Sequence, residues 1–180
     1  MKKAMIHNKI KRIIYEELWS WFLFLLNWIP GRIGAYLRGT FLSLFFGKKG
    51  LRCKIKENVE IWKPKNLFIG NNCVIGRGNV LNCEGMLYLG NNVEIGPYVS
   101  IYTINHTTII SGMKSKLKTV EPVLIGNNVW IGTHSIILPG VTIGDNTIVA
   151  AGSVVTHSFG DDNVIAGVPA INIKNKVNNE

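Results

Sequence analysis

From Ile125 to Val155 an aliphatic residue stands at every sixth position: Ile125, Ile131, Ile137, Ile143, Val149 and Val155. Four positions after each of the first five comes a compact side chain, in turn Val129, Ser135, Val141, Thr147 and Ser153. A helix needs apolar residues at a spacing of about 3.6 and a simple strand at about 2. A period of six instead suits short extended segments separated by turns, each returning its sixth side chain to one interior column. Gly126-Asn127-Asn128 and Gly144-Asp145-Asn146 fill the gaps with residues that accept the positive φ such corners require. The pattern predicts a parallel β-solenoid, whose stacked coils bury a continuous aliphatic core that no coil has alone.

Upstream the same period begins faintly at Ile55 and Ile61 and becomes clear at Ile69, Ile75 and Leu81. It then shifts by two residues to Leu89, Ile95 and Ile101, which predicts a bulged corner around Glu84-Gly85-Met86. From Thr107 to Pro122 it vanishes. Leu89 to Ile125 is 36 residues, or two coils of 18, so this excursion replaces repeat-length sequence with a projecting loop, residues 107–122. Long loops inside compact repeats are usually functional. After Val155 the repeat ends, and Val164–Ile173 is expected to close the solenoid ahead of a frayed tail, residues 175–180.

Several phrases carry a family resemblance: Val129-Trp130-Ile131-Gly132, Leu138-Pro139-Gly140-Val141-Thr142-Ile143-Gly144, Ala151-Gly152-Ser153-Val154-Val155-Thr156 and Ala166-Gly167-Val168-Pro169-Ala170. In their order and wording they resemble the hexapeptide-repeat acyltransferases, in particular galactoside, maltose and polysaccharide O-acetyltransferases. The resemblance covers residues 51–174. It implies an all-β repeat fold, a left-handed parallel β-helix of triangular section, against the usual right-handed crossover. It also implies a homotrimer with each active site between neighbouring protomers.

Residues 1–50 read differently. A basic stretch (Lys2, Lys3, Lys9, Lys11, Arg12) leads into the apolar run Leu18–Ile29, stopped by Pro30-Gly31, and a second apolar segment, Ile33–Phe46, follows. Twelve residues as a helix extend about 18 Å, short of the roughly 30 Å of a bilayer core. A secretory leader would show small residues where Asn27-Trp28-Ile29-Pro30 stand. Two Trp- and Phe-rich helices flanked by cations read as an interfacial hairpin on an anionic membrane surface. The other reading has the same aromatics buried against the solenoid or a neighbouring subunit.

Charge sharpens that division. The net charge of +9 is confined to the N-terminal third: residues 1–56 hold 12 Lys and Arg against Glu16 and Glu17, whereas residues 57–180 hold 8 against 9 acids. The repeat body has no basic face for phosphates, which excludes a nucleic-acid partner. Cys53, Cys73 and Cys83 are an odd set without C-x-x-C spacing, which argues against disulfides and zinc and fits a reducing cytosol. Cys73 falls on an inward position and is expected to be a compact core residue.

Candidate chemistry gathers around the excursion. His106, in Asn105-His106-Thr107, is the last residue before it, and a neutral imidazole held on rigid backbone is suited to take a proton from a hydroxyl. In the resembling family the His of this Asn-His phrase is the general base. Glu84 stands 22 residues earlier, where the galactoside-type enzymes carry an acidic acceptor-site residue; the alternative is a solvated Glu on a bulged corner. For the donor, the resemblance points to Thr133, Ala151, Thr156, His157 and Lys174 beside the coenzyme A chain. His157 stands where the family often has Lys, and Ile171 where an Arg is common. Trp130 is read as a packing residue of an outer or subunit face. His134 raises a resemblance to the γ-carbonic anhydrases, which share this helix, but their closely spaced His pair is missing, so no metal is expected.

The resemblance implies an acetyl-CoA-dependent O-acetyltransferase acting on a saccharide by direct transfer, and the N-terminal segment adds the expectation that it is peripheral on the cytoplasmic face of the membrane. The alternatives are an N-acetyltransferase on an amino sugar nucleotide and a non-catalytic membrane-associated scaffold.

Overall fold

The computed structural model describes residues 2–106 and 118–174. The expected excursion (its residues 107–117) and the tail 175–180 therefore lie outside the described residues, and of His106 only the backbone is described.

The six-residue period folds into five stacked coils with three faces. Face A carries Leu67–Ile69, Leu87–Leu89, Val123–Ile125 and Thr142–Ile143. Face B carries Lys54–Ile55, Val74–Ile75, Glu94–Ile95, Trp130–Ile131, Ile148–Val149 and Val164–Gly167. Face C carries Glu60–Trp62, Val80–Asn82, Ser100–Tyr102, Ile136–Ile137 and Val154–Val155. Strands within each face pair in parallel, and Ala170–Asn172 turns back antiparallel on Val164–Gly167 to close the end.

All six aliphatic residues of the period are buried, as are the compact residues between them. Each of these hexapeptides thus points one large and one small side chain inward, and the columns Ile55–Ile75–Ile95–Ile131–Val149–Ile165 and Ile61–Leu81–Ile101–Ile137–Val155 fill the interior. Cys53, Cys73 and Cys83 are free and buried in this core.

The asparagines are a feature of one edge. Where face A turns into face B, Asn72, Asn92, Asn128 and Asn146 adopt φ of 55 to 58°, the left-handed conformation that Asn tolerates. Their neighbours link the coils. The N–H of Leu51 donates to Asn71 Oδ1 (2.8 Å), that of Asn71 to Asn91 (2.9 Å), that of Asn91 to Asn127 (2.9 Å) and that of Asn127 to Asp145 (2.7 Å). Corner amides with no strand partner are thereby satisfied by side chains one coil away.

The N-terminal segment forms α1 (Lys2–Asn27) and α2 (Gly31–Leu42), separated by Pro30. α1 starts well before the apolar run, because the basic residues continue the same helix. Its aromatics divide between two sides. Trp19, Phe22, Leu23 and Leu26 pack against the core, and Trp19 Nε1 donates to Ile61 O at 3.2 Å, whereas Trp21, Phe24 and Trp28 are exposed. No helix of the described residues is long and apolar enough to cross a membrane.

One buried cation joins the helices to the first coil. Arg38, 1% exposed, donates from Nε to Ile55 O (2.9 Å), from Nη1 to Leu26 O (3.0 Å) and Ile29 O (2.8 Å), and from Nη2 to Glu57 Oε1 (3.0 Å). The backbone N–H of Glu57 and, after it, the Arg38 charge hold the Glu57 carboxyl below the ordinary glutamate value. A lowered carboxyl pKa stabilises the fold above the unfolded value, near pH 4.3, and that contribution disappears as pH falls through the folded value. Thermal melts from pH 7 down to pH 3 should therefore show wild type losing Tm on acidification, and Glu57→Gln losing less of it. Equal acid losses in the two proteins would show that Glu57 carries none of this dependence.

Candidate active site

The interruption after the third coil is anchored by a buried hydroxyl. Thr103 Oγ1 donates to Asn82 O (2.7 Å) and accepts from the Gly85 N–H (2.8 Å), while Thr103 O accepts from the Glu121 N–H (3.0 Å). One residue thus ties the point of departure, the point of return and the previous coil. Beyond it the strand Ile104–His106 leaves the solenoid and Lys118–Val120 returns antiparallel to it, with His106 opposite Lys118 and Ile104 opposite Val120. Leu89 and Ile125 then sit side by side on adjacent coils, so the 36 residues between them are one coil and an excursion. The backbone of His106 is held by strand pairing at the edge where face C turns into face A.

Glu84 lies on that C–A edge, one coil earlier. Its carboxylate forms an ion pair with Lys63 of the coil before, and Asn66 Nδ2 donates to the carbonyls of Cys83 (2.9 Å) and Glu84 (3.1 Å). The acid at the bulged corner is thus a positioned, partnered carboxylate. Farther along the same edge are Thr156 and His157, both exposed; Thr156 Oγ1 and His157 Nδ1 share a hydrogen bond of 3.2 Å, and the imidazole lies 4.5 Å from the Phe159 ring.

Thr133 and Ala151 occupy the other margin of face C, the B–C edge. They stack in consecutive coils: Thr133 Oγ1 donates to Pro97 O (2.7 Å), and Thr133 O accepts from the Gly152 N–H (2.8 Å). The coils approach so closely here that a Cβ on Gly132 would lie 2.5 Å from Ala151 N, which only glycine avoids. Together they make a narrow, smooth column suited to an extended chain. His134 on this edge adopts φ 58° and stacks on the Tyr98 ring one coil before, at 5.1 Å and 8°.

Lys174 is placed elsewhere. Its N–H donates to Asn172 Oδ1 (2.9 Å), and Ile173 N donates to Val164 O (2.7 Å), which puts it at the start of face B, across that face from Ala151. The structure therefore groups Glu84, the His106 backbone, Thr156 and His157 along one edge and Thr133 with Ala151 along another. From Thr133 to Leu138 face C runs five residues, roughly 16 Å of extended chain. The width of face C separates the two groups. Lys63 and Thr103 were not singled out by sequence, although a polar Thr at an inward position just ahead of the broken period was a usable signal.

Residues 122–157 match the family model described as bacterial transferase hexapeptide (six repeats). Galactoside O-acetyltransferase of Escherichia coli K12 is 37% identical over 127 residues, which is 67% of this chain and 63% of that protein. Among solved structures, a maltose O-acetyltransferase from Clostridium difficile 630 superposes with a TM-score of 0.78 at 32% identity, covering 88% of this chain and 84% of that one. A hexapeptide-repeat acetyltransferase from Vibrio cholerae, complexed with acetyl coenzyme A, gives 0.72 at 28% identity, covering 77% and 75%. The chain belongs to the hexapeptide-repeat acyltransferase family and has its left-handed β-helix fold. It spans about half to two thirds of the length of several curated relatives it matches.

Proposed function

We propose that the protein is an acetyl-CoA-dependent O-acetyltransferase that acts on a saccharide, with His106 as general base. The observation that carries this is the position of His106, on a strand-paired backbone at the C–A edge, one coil beyond the ion-paired Glu84. In the reaction the imidazole takes the proton of an acceptor hydroxyl while the hydroxyl oxygen attacks the thioester carbonyl. The new C–O ester bond forms, the C–S bond breaks, and the coenzyme A thiolate leaves with a proton returned from the imidazolium. Glu84 serves the acceptor, through a hydroxyl of the sugar or through the imidazole. On the donor side the backbone of Thr133 and Ala151 carries the pantetheine arm, with Thr156, His157 and Lys174 along the rest of the coenzyme.

Because Thr133 and Ala151 lie on a different edge from His106, a complete site needs the B–C edge of one copy beside the C–A edge of another. This supports a homotrimer, in which three such pairings close on themselves. The test is an acceptor screen of oligosaccharides, nucleotide sugars and lipid-linked sugars with acetyl-CoA, read by thiol release and by mass gain of one acetyl group. Thiol release with an alkali-labile product is expected. An alkali-stable amide on an amino sugar would replace the O-acetyl assignment, and no acceptor-dependent thiol release from any sugar would overturn the reading.

A further inference from the structure

The face of α1 turned away from the solenoid has no protein partner among the described residues, yet it carries large apolar side chains, with Glu17 as the acid beside Trp21 and Phe24. Ile14, Leu18, Trp21, Leu25 and Trp28 recur at intervals of four, three, four and three residues and are 53 to 75% exposed. At about 100° per residue this places them in one stripe, with the packed Phe22, Leu26 and Trp19 about 80 to 140° farther round the helix. Phe24 extends it sideways, its ring 5.9 Å from Trp21 and 6.0 Å from Trp28. On α2, Ile33 and Tyr36 are exposed as well. A row of large exposed apolar side chains along one helix marks a contact surface.

The charges beside it narrow the occupant. Between α2 and face B a groove of about 570 Å³ is lined by Arg32, Lys54, Lys56 and Arg77 together with Tyr36. Farther along α2, past Tyr36, a second groove of about 190 Å³ is lined by Lys49 and Arg52. The one acid lining either groove is Glu57, which pairs with Arg38. An occupant must therefore be apolar along α1 and anionic beside α2. A second copy of this chain fails the second condition, because it would bring two segments of +10 together, and the rest of the chain, at −1, offers nothing strongly acidic. A nucleic acid would leave the Trp–Leu stripe in water.

We propose that the outward face of the helical cap docks on an anionic lipid surface, with α1 lying in the headgroup region and the grooves flanking Tyr36 receiving headgroup phosphates. Trp at the boundary and Lys or Arg above it is the arrangement such surfaces favour. Both helices pack on the first coil, so the fifth coil stands farthest from the lipid. The docking is independent of acetyl transfer and is read without turnover.

The test is co-sedimentation of the full chain with phosphatidylcholine vesicles and with vesicles containing phosphatidylserine, alongside sedimentation equilibrium without lipid. Wild type should bind the anionic vesicles more tightly than the neutral ones. Raising salt from 0.1 to 1 M shortens the Debye length from about 10 to about 3 Å, so it should weaken binding without abolishing it. Leu18→Gln with Leu25→Gln, both exposed positions that leave the packed face intact, should lower binding to either vesicle. Arg32→Gln with Lys54→Gln and Lys56→Gln should remove most of the preference for anionic lipid, about fivefold per cation. Equal binding to both vesicles by wild type, or no binding with a native circular dichroism spectrum, overturns the proposal. A fall in solution mass on Leu18→Gln with Leu25→Gln also overturns it, since the stripe would then be covered by another copy.

Discussion

His106→Ala should lower kcat by at least about 100-fold, the usual size of a general-base contribution, while the affinity for coenzyme A stays within a few-fold. An acceptor hydroxyl is a poor nucleophile until its proton is removed. Of the side chains on the C–A edge, Glu84 is engaged by Lys63, and His157 lies two coils farther along, bonded to Thr156. Neither stands on the strand pair that holds His106. The affinity should persist because the column assigned to the pantetheine arm, Thr133 and Ala151, belongs to the other edge and is held by coil-to-coil backbone bonds that His106 does not join. A uniform loss of binding and turnover would instead mean that His106 shapes the site without taking the proton. Single-turnover transfer at saturating acetyl-CoA, with calorimetric titration of coenzyme A, separates the two. Retention of more than a tenth of the wild-type kcat would remove His106 from the mechanism.

Arg38→Met should destabilise the fold by about 3 kcal/mol, because removing one member of a buried hydrogen-bonded charge pair leaves its partners unsatisfied. The guanidinium serves four acceptors, and three of them are carbonyls, of Leu26, Ile29 and Ile55. The first two belong to the end of α1 and the junction after it, where helix carbonyls lack intrahelical partners. Methionine fills a similar volume but donates nothing. Arg38→Lys should rescue little, since one ammonium group cannot reproduce a planar fork directed at four atoms. Little room remains for rearrangement: a Cβ on Gly34 would sit 1.8 Å from Ile29 O and one on Gly39 2.0 Å from Cys53 O, so α2 rests backbone to backbone on its neighbours. Urea unfolding followed by circular dichroism measures the loss; a change below about 1 kcal/mol would show that the aromatic contacts of Trp19, Phe22 and Phe45 hold the cap without Arg38.

The solenoid itself was legible in the residues because its interactions are local. Each coil touches only the coils before and after it, so a six-residue period in one stretch already dictates which side chain points inward, and Asn or Asp at the corner supplies both the left-handed turn and the bond to the next coil. The charge division was legible for the same reason, as a plain count along the chain. Three features needed the tertiary structure. α1 is apolar on two sides, so its sequence does not distinguish Trp19, which bonds to Ile61, from Trp21, which faces outward; the first coil makes that choice. Arg38 reads as one more cation of a basic segment, and its burial follows only from the meeting of α1, α2 and the Ile55 carbonyl. Thr133 and Thr156 are equally convincing in phrase, yet they stand on different edges. Which edge a residue reaches depends on how many residues each face and corner consume, and that number is set by the packing of one coil on the next.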